Sequence, residues 1–158
     1  MNLSREERAL YNPAFTGLLC TRAVQGHEQQ YNAPCPLLVA VVAGIMSLQP
    51  AIRVALPSTL NSGLMKWLDV NEAVRVAMTR NAGSLAAVVR PGVLFALQTR
   101  TLRATEEGLT LALGPTTKGI RGATDQTIAM QQAAQFLGRW LPSTGSLSTV
   151  LTLLGVKP

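Results

Sequence analysis

The chain has 158 residues, of which 47% are hydrophobic and only 14% are charged, and its mean hydropathy is +0.23. This length supports one domain with a buried core, and the composition excludes a disordered chain. Basic residues outnumber acidic ones by 14 to 8, and the net charge of +6 favours either nucleic acid or an acidic protein surface as a partner.

Two helix starts are readable near the N-terminus. Ser4 and Glu7 have the spacing of a capping box, in which each side chain binds a free amide at the helix start, so a short first helix is expected there. Asn12 followed by Pro13 is a second start signal, because asparagine caps free amides and proline at the first helical position loses no hydrogen bond. The second helix is predicted over residues 13–25.

The longest apolar stretch runs from Leu37 to Met46 and is well short of the roughly 20 residues that a membrane span requires. Prolines bound it on both sides, so we expect a helix that stops around Leu48, before Pro50. The stretch has no polar face, which predicts burial on all sides.

Two further helices are predicted in the middle of the chain. Ser58 or Thr59 is expected to open a short helix that runs through Trp67. Asp69 and Glu72 have capping-box spacing and predict the start of the next helix. Its predicted apolar face consists of Val70, Ala73, Val74 and Ala77.

A helix followed by a β-hairpin is predicted next. Pro91 is expected to start a short helix over residues 91–98. Residues 102–104 and 109–113 flank a tight turn, and the alternating leucines of the second segment indicate a strand. This order is typical of a winged helix-turn-helix, with the hairpin as the wing.

Residues 114–123 are rich in glycine, proline and threonine and are expected to form a loop. Thr124 or Asp125 is then predicted to open a helix that stops at Pro142, and Ser146 to cap a last short helix. The apolar stripe of the longer helix comprises Ile128, Phe136, Leu137, Trp140 and Leu141.

These elements predict a mainly α-helical single domain with a small β-hairpin. We expect N-terminal helices over 1–90, the helix and wing over 91–113, a loop over 114–123 and a C-terminal helical pair over 124–158.

The sequence does not supply a catalytic set. His27 is the only histidine, and nothing near it suggests a nucleophile and base pair. Cys20 and Cys35 lack CxxC spacing and are expected to be buried thiols, and with His27 they match no common zinc spacing. We therefore expect neither an enzyme nor a metal or other cofactor.

Basic residues cluster around the predicted winged segment and are candidate contacts to DNA phosphates, with an ordinary solvated face as the alternative. These residues are Arg90, Arg100, Arg103, Lys118 and Arg121. Trp67 and Trp140 are candidates for a partner interface, because aromatic residues dominate binding hot spots, while their helical spacing also fits the core.

The N-terminus is charged and has no apolar signal core, so a cytoplasmic location is expected. The low charge and high apolar content suggest more apolar surface than a small domain can bury, and so a partner that covers part of it.

Four sequence features occur together. They are the block Tyr11-Asn12-Pro13-Ala14-Phe15, the prolines before Leu37-Leu38-Val39, the helix and hairpin between Leu94 and Leu113, and the ending from Phe136-Leu137-Gly138-Arg139-Trp140 to Leu154-Gly155-Val156-Lys157-Pro158. In combination they resemble the middle component of bacterial three-component ABC systems over nearly the whole chain. Within that group the chain looks most like the small subunit LmuC of Lamassu anti-phage systems.

The resemblance implies a non-enzymatic adaptor that binds an SMC- or Rad50-like ABC ATPase and an effector, often a nuclease. Such an adaptor would relay the ATPase's sensing of foreign DNA to the effector that it helps to restrain, and it could touch DNA held in the complex. The residues alone leave a second hypothesis open, a free-standing winged-helix DNA-binding protein. An enzyme acting alone is the least favoured class.

Overall fold

A computed structural model of the chain describes residues 4–112 and 119–156. The helices of this part are α1 (Arg5–Leu10), α2 (Pro13–Tyr31), α3 (Leu37–Ser47), α4 (Pro50–Ala55), α5 (Leu64–Val70), α6 (Glu72–Gln98), α7 (Asp125–Trp140) and α8 (Leu147–Leu153). The strands β1 (Leu102–Ala104) and β2 (Leu109–Leu111) pair antiparallel. The predicted mainly α-helical domain with a hairpin is confirmed.

Helix α2 lies at the centre of the fold and packs against α6, α7 and α3. Glycines allow two of these contacts to be close. A Cβ on Gly17 would lie 2.6 Å from the carbonyl oxygen of Gly92 in α6, and one on Gly26 would clash with the carbonyl of Gln135 in α7. At both places the helix backbones touch each other directly, so any larger side chain would force them apart.

The prediction that the second helix ends at residue 25 was wrong, because Gly26 is a contact position and not a helix stop. The helix continues to Tyr31 and ends at Asn32, which has the left-handed backbone conformation (φ 50°) common at helix ends. The amide of Asn32 still donates to the carbonyl of Glu28, at 2.9 Å.

The apolar helix is confirmed as α3, and all its residues from Val39 to Ser47 are buried. Its first turn differs from the prediction, since Leu37 and Leu38 are 50% and 41% exposed. Pro50 does end the apolar segment, but it also starts α4, a short helix that the sequence pattern did not predict.

The predicted helix boundaries between residues 58 and 72 were wrong. Helix α5 begins at Leu64, and Leu64, Trp67 and Leu68 are buried at helical spacing, so core packing and not a side-chain cap places this helix. Asp69 lies inside α5, and α6 starts at Glu72 without a side-chain cap. Val70, expected on the apolar face of the next helix, is 77% exposed.

Pro91 does not start a helix but lies inside α6, which has 27 residues. A proline removes one helical hydrogen bond, here the bond to the carbonyl of Ala87 four residues earlier. Both Pro91 and Ala87 are exposed, so water can bind that carbonyl, while Val89 and Val93 hold the other side of the helix in the core.

The hairpin is confirmed, but the winged helix-turn-helix is not. Its second strand is fastened to the protein, because Leu109 exchanges two backbone hydrogen bonds with Cys35, at 2.7 and 2.8 Å. In addition, the carboxylate of Glu28 accepts from the amide of Leu111 at 3.0 Å. The hairpin therefore lies against the chain between α2 and α3. The predicted strand residue Leu113 and the first half of the predicted loop, residues 114–118, lie outside the described residues.

The C-terminal helical pair is confirmed as α7 and α8, separated by a 3₁₀ turn over Leu141–Thr144. Thr124 and Ser146 cap the two helices, as expected. In the part of the chain that the structure describes, none of the helices combines the length and apolar character that a membrane crossing needs.

Candidate partner-binding surface

The predicted basic cluster is divided in the structure. Arg100 lies in the connection between α6 and β1, Arg103 lies within β1, and both side chains are exposed. Arg100 adopts a left-handed backbone conformation (φ 58°) where the chain turns away from α6. Arg90 lies elsewhere on α6, and Arg121 is exposed shortly before α7. Lys118 falls outside the described residues.

A buried arginine connects α2 to α7 near Arg121. Arg22 is only 4% exposed, and its Nε and Nη1 donate to the side-chain oxygens of Gln131 and Gln25, at 3.0 and 2.9 Å. Burial lowers the pKa of the Arg22 guanidinium. The Nε2 of Gln131 donates in turn to the carbonyl of Arg121 at 2.8 Å, so this network also anchors the chain that leads into α7.

The two tryptophans are part of the core. Trp140 is fully buried and Trp67 is 5% exposed, and their rings meet edge to face with 5.1 Å between centroids. Each indole N–H donates to a backbone carbonyl, from Trp67 to Ala55 and from Trp140 to Ser62. This placement favours the core role over the interface role, because neither ring presents a face to solvent.

Most of the exposed large apolar side chains are instead aliphatic, and Phe95 is the aromatic one among them in the described residues. Leu38, which is 41% exposed near the start of α3, lines a trough of about 520 Å³ between α3, α6 and the C-terminal segment around α8. We call it the α3–α6 trough. Its lining consists of Leu38, Val41, Val42, Ile45, Met78, Thr79, Ala82, Gly83, Ala86, Arg90, Leu151, Gly155 and Val156.

A second exposed aliphatic group lies on α4 and α5 and consists of Val54, Met65 and Val70. These side chains are 60–85% exposed but belong to two short helices, and the shallow pocket that Val70 lines is shared with the polar residues Asn61, Ser62 and Lys66. The α3–α6 trough is the more apolar concave surface, and such surfaces are typical of binding sites.

Neither cysteine is poised for chemistry. Both are free and buried. Burial raises the pKa of the Cys20 thiol to about 12, and it raises that of Cys35 to about 12 as well. A nucleophilic or metal-binding cysteine requires the thiolate, which these surroundings disfavour.

His27 holds the end of α2 in place. Its Nδ1 lies 3.1 Å from the carbonyl of Ala33, and its ring packs on Tyr31, whose hydroxyl donates to the carbonyl of Arg139 at 2.6 Å. Burial lowers the pKa of His27. Within residues 4–112 and 119–156, no three His, Cys, Asp or Glu side chains are grouped so that they could hold a metal ion.

Sequence reasoning did not find the α3–α6 trough. Its walls come from three segments that are far apart in the sequence, and the small residues that leave the space, Ala82, Gly83 and Ala86, carry no charge or aromatic ring. A weak signal was available, since a run of small residues between the larger apolar positions of a helix marks a face that a partner can approach closely.

Comparison with known proteins gives one match. The family model described as ABC-three component (ABC-3C) system Middle Component 3 matches residues 1–158. No curated protein and no solved structure matches the chain.

Proposed function

The chain belongs to the Middle Component 3 family of ABC-three component systems, and from this membership we propose that it is a non-enzymatic adaptor subunit of a bacterial anti-phage defence complex. The match of the family model along the full chain is the observation that carries the proposal. A middle component works together with the other components of its system, so its activity lies in what it binds.

In the proposed mechanism the chain couples an SMC- or Rad50-like ABC ATPase, which senses foreign DNA, to an effector that is a nuclease. The adaptor holds the effector inactive until the ATPase responds to DNA, in the manner of the small subunit of a Lamassu system. In such an adaptor, binding of the ATPase changes the affinity for the effector. By thermodynamic linkage, binding of the effector changes the affinity for the ATPase by the same factor.

Three features of the described residues support an adaptor over an enzyme. The two thiols are buried, with pKa values of about 12, and the single histidine is committed to the carbonyl of Ala33. Large aliphatic side chains are exposed at Leu37 and Leu38, beside an apolar trough. Exposed apolar surface next to a concavity is characteristic of partner binding.

Co-expression tests this proposal. The tagged chain is produced together with the proteins encoded beside it, and the eluted complex is identified by mass spectrometry and weighed by light scattering. We expect an SMC-like ATPase and an effector to elute with the chain in a defined ratio. Elution of the chain as a monomer, with both neighbours present and soluble in the lysate, would contradict the adaptor function.

A second candidate function is DNA binding by the isolated chain, and the exposure of Arg100 and Arg103 favours it. Such binding would be electrostatic, because lysine and arginine contacts to phosphates release counterions, and affinity would then fall steeply with salt. Fluorescence anisotropy with a labelled duplex at two salt concentrations measures it. Arg100→Glu and Arg103→Glu should each weaken binding, whereas Arg80→Glu, the same charge change at an exposed position of α6 away from the hairpin, should weaken it much less.

A further inference from the structure

One face of α6 forms the floor of the α3–α6 trough. Met78, Ala82, Ala86 and Arg90 recur every four residues and so lie along one side of the helix. The small residues among them leave the trough empty, and a Cβ placed on Gly83 would meet no atom within 4 Å. The long aliphatic side chains of α3 form one wall, and the segment around α8 forms the other.

Among the described residues that line the trough, the one charged side chain is that of Arg90, and none is an aspartate or a glutamate. Arg75 lies near Gly155 at the opposite end, and its Nε donates to the carbonyl of Leu153 at 3.2 Å. Along a helix the 15 residues from Arg75 to Arg90 span roughly 22 Å, or about four turns. The trough is thus an apolar channel with a cation near each end.

We propose that the α3–α6 trough binds an amphipathic helix of a partner protein, with the aliphatic face of that helix in the trough and acidic residues toward Arg75 and Arg90. The proposal rests on the adaptor function and names the surface that performs it. The charge complementarity decides the occupant, because a chain of net charge +6 that presents an apolar channel between two arginines selects a helix with acidic ends. Leu38 lines the trough and is 41% exposed, so its side chain is available to the partner helix.

This mode of binding has known physical requirements. A helix seated in a groove contacts it through residues at positions i, i+3 or i+4, and i+7, which cover about two turns and fit within the roughly 18 Å of α6 from Met78 to Arg90 that lines the trough. Aliphatic burial supplies most of the binding free energy, and the pairing of carboxylates with Arg75 and Arg90 sets the position and direction of the helix.

Variants of α6 test the proposal. Gly83→Leu places a side chain in the trough, and Arg90→Glu reverses the charge at one end. Each should weaken binding of the purified chain to the co-purifying companion protein by at least about tenfold, measured by titration calorimetry. The matched controls are Ala73→Leu and Arg80→Glu, which make comparable side-chain changes at exposed positions of α6 outside the trough. Both controls should stay within about twofold of the unchanged chain.

The occupant can be identified with a single introduced thiol. The two natural cysteines are buried, so Gly83→Cys offers a selectively accessible thiol for a maleimide-benzophenone crosslinker. We expect the crosslinked peptide to come from the companion protein and to be an amphipathic helix with acidic residues. Crosslinking to a second copy of this chain, or to a segment without acidic residues, would overturn the proposal.

The failure of this proposal differs from the failure of the adaptor function. If the unchanged chain forms the complex and Gly83→Leu and Arg90→Glu bind equally well, the trough is not the docking surface, and the adaptor function stands. If the unchanged chain binds no companion protein, the adaptor function fails, and the trough proposal fails with it. Thermal unfolding of every variant, followed by circular dichroism, separates lost binding from lost folding.

Discussion

Helix α6 carries two glycines whose surroundings are opposite. Gly92 faces α2, where an added Cβ would approach the amide nitrogen of Gly17 to 2.5 Å. Gly83 faces the α3–α6 trough, where an added Cβ would meet nothing within 4 Å. The same residue type therefore serves a closed region, in which helices touch through their backbones, and an open region, in which space is left on the surface. The role of a glycine therefore depends on its position in the packing.

The largest expected effect comes from the buried core. Trp140→Ala should lower the free energy of unfolding by about 3–5 kcal/mol, because it removes a fully buried ring and leaves the carbonyl of Ser62 without its donor. Urea unfolding followed by circular dichroism measures the change. Met65→Ala is the control, since that side chain is 60% exposed and should change stability by less than about 0.5 kcal/mol. Equal effects of the two substitutions would contradict the burial of Trp140.

Gly92→Ala tests the backbone contact between α2 and α6. The added methyl group has to push the helices apart, which should cost about 1–3 kcal/mol although alanine is the better helix former. The shift of the urea midpoint reports this cost. A variant as stable as the unchanged chain would show that the two helices have room to separate.

Alkaline pH tests whether water reaches the buried Cys20 thiol in the folded protein. Cys20 has a folded pKa of about 12 against an ordinary value of 9.0. The unfolded thiol loses its proton above pH 9, while the folded thiol keeps it. The contribution of Cys20 to the free energy of unfolding is therefore fully present below pH 9 and is lost as the pH rises toward 12. Between these two pH values, this group lowers the free energy of unfolding by about 1.4 kcal/mol for each pH unit.

The measurement compares the unfolding free energy of the unchanged chain and of Cys20→Ala between pH 8 and pH 10.5. The variant should lose stability less steeply, because its alanine has no proton to release. Parallel curves would mean that water reaches the Cys20 thiol in the folded state.

Gly83→Ala is the smallest change and has the opposite sign from Gly92→Ala. The open region accepts the methyl group, and alanine loses less backbone entropy than glycine on folding, so stability should rise by about 0.5–1 kcal/mol. Thermal unfolding of the two alanine variants side by side provides the direct comparison. Destabilisation by Gly83→Ala would mean that the trough is closed in solution.

The parts of the fold that could be predicted from the sequence are those with a local cause. Ser4, Asn12, Thr124 and Ser146 each cap a helix through hydrogen bonds within three residues, and each helix start was predicted. The strand alternation around Leu109 likewise predicted the hairpin.

The errors have a non-local cause. Pro91 was interpreted as a boundary and the residue before Gly26 as a helix end, yet both positions are inside helices because residues distant in the sequence pack against the flanking turns. The candidate site shows the same limit. Exposed arginines could be named from the sequence, whereas the α3–α6 trough exists only once α3, α6 and α8 are assembled.

The central position of α2 also determines when the protein can complete its fold during synthesis. Its main partners, α6 and α7, are encoded far behind it, and α7 ends at residue 140. At a synthesis rate of roughly 5–20 residues per second, the ribosome takes on the order of 5–20 s to proceed from the end of α2 to the end of α7. During that interval α3 and α6 can already pack on α2, but the side of α2 that contacts α7 stays uncovered, so folding finishes only after α7 has emerged.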